Sequence, residues 1–247
     1  MKVTFIADLH GEDLWKKVID KESDLFVFLG DYFDSFTITH KQQLDNFKDI
    51  LYFAENNKDK VKLLLGNHDI HYLLWHTPYY DYMKGSGFSS SLVWKVNNLY
   101  EEHKHLFQLA WQKGNILVTH AGLTQNYYDK VLKEFHKNES SCNYADLLNK
   151  LWSRKSELLM RIGKSRGGPE EWGGVFWCDI SELIQSPLHN IIQVVGHTPL
   201  EDIKEITVDD KTKLYFIDCL IYREDKQENP KFFEMEIDDI NYDGNCG

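Results

Sequence analysis

Five short apolar runs, Val3 to Ala7, Leu25 to Leu29, Val61 to Leu65, Ile116 to Val118 and Ile191 to Val195, each stop at a polar cluster. Runs of this length, rich in Val, Ile, Leu and Phe, predict buried strands. The clusters that follow them are Asp8-Leu9-His10, Gly30-Asp31-Tyr32-Phe33-Asp34, Gly66-Asn67-His68-Asp69, Thr119-His120-Ala121-Gly122 and Gly196-His197-Thr198-Pro199. Carboxylates, imidazoles and one amide are thereby placed at the carboxyl ends of strands in a layered α/β fold, the edge at which such sheets gather ligands.

Between the runs the period changes to that of helices. Glu12 to Asp20 predicts a short amphipathic helix with Leu14, Val18 and Ile19 on one face, and Thr39 is placed to cap a helix over His40 to Asn56 that buries Leu44, Phe47, Ile50 and Leu51. Ser91 to Gln112 reads as helix with Val96, Leu99, Leu106 and Leu109 inward. Thr124 caps a helix over Gln125 to Lys137, and a further helix over Asn143 to Ile162 carries Leu147, Leu148, Leu151, Leu158 and Leu159, with Gly163 placed to end it. Ile70 to Gly87 has no clean period. The aromatic segment Tyr72 to Phe88 holds Trp75, Tyr79, Tyr80 and Tyr82, for which core packing or a subunit contact accounts better than a groove that stacks on a base or phosphotyrosine. A Gly-rich loop follows Gly163. The tail runs Lys204 to Val208, Lys213 to Ile217 and Lys231 to Ile237 read as antiparallel strands finishing a second sheet. The clusters span residues 8 to 199, so a site built from them predicts one domain over 1–247.

Composition narrows the class. Apolar residues make up 42% and aromatic residues 14% of 247 positions, enough for a substantial core. The net charge of -11 argues against a general nucleic-acid-binding surface, and no apolar span reaches transmembrane length. Met1 to Ala7 is too short for a signal sequence and runs straight into Asp8. Cys142, Cys178, Cys219 and Cys246 are scattered, which favours reduced thiols in a cytoplasmic protein over a disulfide framework and makes the sequon Asn138-Glu139-Ser140 a chance match.

The cluster side chains suit divalent metals. Asp8 and His10, two residues apart, can reach one cation. Asp31 has two oxygens and can bridge two cations, Asn67 offers a neutral oxygen, and His120 and His197 offer nitrogens. This mixed donor set suits two divalent ions of Mn, Fe or Zn. Two such ions against Asp8 and Asp31 leave an excess of positive charge for a phosphate dianion, with a bridging, metal-bound hydroxide as nucleophile. His68, directly after Asn67, diverges from the ligand direction and suits a proton donor, with Asp34 accepting its second ring hydrogen.

At this level the chain resembles the metallophosphoesterase (calcineurin-like) superfamily, and within it the phosphoprotein phosphatase branch that includes the symmetrically cleaving dinucleoside tetraphosphatases. The residues carrying the resemblance are Asp8, His10, Gly11, Gly30, Asp31, Asp34, Gly66, Asn67, His68, His120, Gly122 and His197, in family order. It implies a two-sheet β-sandwich flanked by helices, one metal held by Asp8, His10 and Asp31, and a second by Asp31, Asn67, His120 and His197. Asn67 and Arg166 are the candidate substrate contacts. Arg166 resembles the family's second phosphate-binding arginine, with an ordinary loop charge as the alternative. Three positions depart from the pattern: Ser35 stands where the family has a phosphate-gripping arginine, Asp69 replaces a Glu, and Pro199 replaces the extra His of phosphodiesterase relatives.

The resulting expectation is a cytoplasmic, binuclear metal-dependent phosphatase acting on a phosphomonoester in a phosphorylated protein or small molecule, without nucleic-acid or membrane partners. The alternatives are hydrolysis of a dinucleoside polyphosphate or phosphodiester, and a non-catalytic binding scaffold on the same fold. His71, His76, His103 and His105 read as surface or packing residues, and Arg154 and Arg161 as an exposed helical face. Gly163-Lys164-Ser165 imitates the end of a P-loop, but a helix precedes it and Leu158 stands where the first Gly belongs.

Overall fold

Two five-stranded sheets stack face to face in the computed structural model, which describes residues 1–78, 84–135, 143–221, 228 and 230–238. The first sheet contains β1 (Lys2–Ile6), β2 (Leu25–Phe28), β3 (Val61–Leu64), β4 (Phe107–Gln108) and β10 (Phe233–Glu236), in the order β10-β1-β2-β3-β4. The second contains β5 (Ala110–Lys113), β6 (Ile116–Thr119), β7 (Ile192–Val195), β8 (Lys204–Asp209) and β9 (Thr212–Phe216), in the order β5-β6-β7-β9-β8. β1 to β4 run parallel, as do β6, β7 and β9. Parallel strands need crossovers, and the helices supply them.

The alternation of side chains along each strand decides what each face buries. Val3, Phe5, Leu25, Val27 and Leu64 of the first sheet meet Ile116, Val118, Val194 and Ile217 of the second in the layer between the sheets. On the outer face, Ile6, Phe26, Phe28 and Leu63 pack in one cluster with residues of α1 (Trp15–Ile19), α2 (His40–Asn56) and α4 (Ser90–His103). Between these helices lies α3 (Asn67–Leu73), and after β6 come α5 (Gln125–Glu134), α6 (Tyr144–Arg154) and α7 (Ile180–Gln185). Leu183 of α7 packs with Val195, Leu214 and Phe216 on the second sheet. The sandwich flanked by helices is the fold class the sequence predicts.

Local chemistry explains the elements read correctly. The Thr39 side chain accepts from Gln42 N and the Gln42 side chain from Thr39 N, so a reciprocal capping box starts α2 at His40. Thr124 Oγ1 accepts from Tyr127 N and opens α5.

Four readings are corrected. The helix expected over Ser91 to Gln112 ends at His103, because Leu109 and Ala110 give their N–H groups to Asn149 Oδ1 at 2.7 and 3.1 Å and the chain enters β4 and β5. The helix expected over Asn143 to Ile162 ends at Arg154: Lys155 turns left-handed (φ 51°), and Ser156 Oγ starts a new 3₁₀ turn by accepting from Leu158 N. Arg154 is exposed on that helix, whereas Arg161 lies beyond it, partly buried and paired with Glu170. The segment Lys231 to Ile237 does not finish the second sheet. β10 pairs antiparallel with β1 in the first sheet, while β9 lies parallel to β7 rather than antiparallel throughout.

Tyr72 and Phe88 stack within the core, consistent with packing. Tyr79, Tyr80, Tyr82, Asn138, Cys142, Arg223 and Cys246 lie outside the described residues. Cys178 and Cys219 are both buried. Among the described residues, no helix is long and apolar enough to cross a membrane.

Candidate active site

The polar clusters begin where β1, β2, β3, β6 and β7 stop. Five of the seven described non-glycine residues with positive φ lie in them: Asp8 (46°), His10 (44°), Asp31 (56°), Asp34 (72°) and His197 (67°). Asp8 and His10, expected from their two-residue spacing to reach one cation, both lie past the end of β1 in left-handed backbone and converge with Asp31. Such conformations cost on the order of 1 kcal/mol or more each and persist where packing dictates them. Close approach also dictates glycine here. A Cβ on Gly66 would stand 2.1 Å from Asp31 Oδ1, and one on Gly196 would stand 2.0 Å from Asp8 Oδ2.

Asp31 is the hub of the site. Its Oδ1 accepts from His68 N at 2.8 Å, while its Oδ2 lies 3.8 Å from His10 Nε2 and 3.5 Å from His120 Nε2. Asp8, His10 and Asp31 form one group of converging donor atoms, and Asp31, His120 and His197 form another, each within 4.8 Å. Asn67 Oδ1 joins the second group, 2.8 Å from His120 Nε2 and 2.9 Å from His197 Nδ1. The structure thus brings all six candidate ligands together around one shared carboxylate.

Backbone carbonyls set the orientation of two imidazoles. His10 Nδ1 lies 2.7 Å from Phe33 O and His120 Nδ1 2.9 Å from Leu29 O, so each Nδ1 carries the proton and each Nε2 turns a lone pair inward. Burial pushes the pKa of His10 and His120 down, and burial with neighbouring His120 pushes His197 well down, which keeps all three neutral. Asp8 is driven well up by burial, then by Asp218 and Asp31. Crowded buried carboxylates beside inward lone pairs form a pocket short of positive charge. Together with the oxygen-and-nitrogen donor set, this fits two divalent cations.

A second cluster adjoins the first. His68 Nδ1 lies 2.8 Å from Asp34 Oδ2, Tyr72 donates its hydroxyl to Asp34 Oδ1, and the Asp34 N–H gives to Gln43 Oε1 at 2.9 Å. His71, read from sequence as surface or packing, is fully buried with Nε2 2.9 Å from Asp34 Oδ2. Burial opposes ionisation of Asp34, but His68 and His71 outweigh it and hold its pKa at about 2. Burial likewise opposes a charge on His68, yet Asp31 and Asp34 raise its pKa to about 9. Asp69 ties the loops together, accepting from Gly66, Asp31 and Tyr32 N–H groups at 2.8, 2.8 and 2.9 Å.

The sequence reading missed Asp218, buried just past β9, whose Oδ1 has no hydrogen-bond partner among the described groups. Its only sequence signal was a carboxylate one residue beyond an apolar run, weaker than the glycine-flanked clusters. His71 carried a sharper one, its i+3 spacing from His68 on a helix.

The site opens into a cleft of about 420 Å³ lined by His10, Asp31, Asn67, His68 and His197 together with Ser35, Arg166 and Pro199. Arg166 reaches the cleft, but its Nε lies 3.0 Å from Asp179 Oδ2 and its Nη2 contacts Thr198 Oγ1. Ser35 Oγ accepts from Thr37 and Ile38 N–H groups at 3.2 and 3.1 Å, so it braces its own loop.

A sandwich with paired donor groups at the strand ends defines a class of hydrolases that work on phosphate esters. The chain belongs to the calcineurin-like phosphoesterase family, whose model matches residues 1–217. Membership makes it a phosphoesterase and brings with it the family's use of divalent metals. Among solved structures, the chain is similar to a cold-active protein-tyrosine phosphatase of a psychrophilic Shewanella species. That match has 20% identity over 95% of this chain and 75% of the other, with a TM-score of 0.51. A protein serine/threonine phosphatase from Saccharomyces cerevisiae is similar at 14% identity over 88% of this chain and 67% of the other, with a TM-score of 0.48. The first likeness bears on the fold alone, and the second is too distant to argue from. No curated protein matches the chain significantly.

Proposed function

We propose that the protein is a binuclear phosphatase hydrolysing phosphomonoesters, belonging to the phosphoprotein phosphatase branch. The observation that carries this reading is the position of Asp31, whose Oδ2 lies 3.8 Å from His10 Nε2 and 3.5 Å from His120 Nε2 and so is within reach of both donor groups. One cation would be held by Asp8, His10 and Asp31, and the other by Asp31, Asn67, His120 and His197. When bound, the pair supplies Lewis acidity that activates water and neutralises phosphate oxygens.

The chain's own residues do the rest. Asp34 fixes His68 through Nδ1, so the remaining ring proton sits on Nε2, and His68 lines the cleft. From there it protonates the departing ester oxygen as the P–O bond breaks and a water oxygen joins phosphorus. Asp34, which is outside the proposed ligand set, holds the His68 ring and favours its protonated form. Asn67 and Arg166 border the space for the phosphoryl group, and Arg166 is steered by Asp179 and Thr198.

The test is a Mn-supplemented assay across p-nitrophenyl phosphate, its bis ester, phosphopeptides and diadenosine tetraphosphate. Monoester turnover abolished by Asp31→Asn supports the reading. Turnover of the bis ester or the tetraphosphate alone moves the assignment to a diesterase or a dinucleoside polyphosphate hydrolase. Full metal loading with no turnover leaves a binding scaffold.

A further inference from the structure

We infer that the cleft selects aryl phosphomonoesters, holding the substrate's ring between Phe36 and Trp177. This rests on the phosphatase reading above and narrows its substrate class. The cleft lining combines polar groups assigned to the phosphate, among them Asp31, Asn67, His68 and Arg166, with the apolar side chains of Phe36, Trp177, Pro199 and Ile221. Phe36 is 82% exposed, and no ring of a described residue packs on it. An aromatic face left in water beside a catalytic cleft forgoes the burial such a ring normally gains.

Position favours a ring bonded directly to the ester oxygen. Phe36 follows Asp34 by two residues, and Asp34 holds His68, the proposed proton donor to the leaving oxygen. Trp177 also lines the cleft; its ring stands edge-on to His197 at 6.1 Å, and its Nε1 has no partner among the described groups. Charge disfavours extended anions. Among the described residues, Arg166 is the only permanent cation lining the cleft, it is engaged by Asp179, and Glu12 lines the same cleft. With no further cation to grip additional phosphates, recognition beyond the phosphoryl group falls to the two rings.

The experiment compares wild type, Phe36→Ala and Phe36→Trp on a phosphotyrosine peptide, a phosphoserine peptide of the same sequence, glycerol 2-phosphate and adenosine 5′-monophosphate. Phe36→Ala is expected to lower kcat/KM for phosphotyrosine about tenfold, through KM, to leave phosphoserine and glycerol phosphate unchanged, and to be rescued by Phe36→Trp. Equal losses on phosphoserine and phosphotyrosine overturn the inference, as does a ring effect confined to the nucleotide. Equilibrium binding to the Mn-supplemented protein separates this from failure of the phosphatase reading. Phenylphosphonate should bind more tightly than methylphosphonate, and the difference should vanish in Phe36→Ala. Equal binding in the wild type removes the slot whether or not any ester is turned over.

Discussion

His71 Nε2 lies 2.9 Å from Asp34 Oδ2, with both side chains shut off from solvent. His68, His71 and Tyr72 occupy one face of α3 at i, i+3 and i+4, so a single helical face presents three groups to one carboxylate. The His71 contact is close and electrostatic rather than an aligned hydrogen bond, while Gly85 N–H approaches its Nδ1 at 3.4 Å. Replacing His71 with Leu should cost about 1–3 kcal/mol of stability and lower kcat on alkyl phosphates. Thermal denaturation and steady-state kinetics measure the two, and a variant unchanged in both makes His71 a bystander.

The neighbouring pair of His68 and Asp34 predicts a pH signature in the metal-free protein. His68 rises from 6.5 to about 9 in the folded state, so its stabilising contribution is complete below pH 6.5 and is lost as pH climbs through 9. Asp34 is depressed from 3.8 to about 2, so its contribution is present above pH 3.8 and is lost as pH falls through 2. Denaturant titrations from pH 6 to 10 should therefore show wild type losing up to roughly 3 kcal/mol more than His68→Ala. Parallel profiles for the two proteins would contradict the coupling.

Proton donation by His68 predicts dependence on the leaving group. His68→Ala should lose most activity with a phosphoserine peptide and much less with p-nitrophenyl phosphate, whose phenolate departs without a proton. Equal fractional losses on both would remove His68 from the acid role.

Much of the site was legible because its chemistry is local. Each cluster sits directly after an apolar run, and Gly30, Gly66 and Gly196 mark where backbone must approach a neighbour closely. The capping box at Thr39 is equally local, and α2 occupies the predicted range. What failed depended on distant partners. Val96 to Leu109 keeps a helix-compatible spacing, yet Asn149, forty residues on, takes the N–H groups that end it. Likewise, nothing within Lys231 to Ile237 tells which sheet it joins, because that choice is made by the free edge of β1. Asp8 and His10 converge by left-handed backbone, which residue spacing does not encode.

Close packing at the carboxylates gives another test. Gly66→Ala places a Cβ 2.1 Å from Asp31 Oδ1, and Gly196→Ala places one 2.0 Å from Asp8 Oδ2, so each must push its carboxylate away. Each variant should bind Mn at least tenfold more weakly while Gly167→Ala, which meets no atom within 4 Å, leaves affinity near wild type. Gly167 has φ 78°, so that control carries some backbone strain of its own, separable by thermal denaturation. Unchanged Mn affinity in both close-packed variants would mean that these carboxylates do not hold the ions.

The most direct measurement is anomalous diffraction from crystals of the Mn-supplemented protein. Two peaks are predicted, one against Asp8 and His10 and one against Asn67, His120 and His197, with Asp31 touching both. A single peak, or two peaks that do not share Asp31, would contradict the binuclear site.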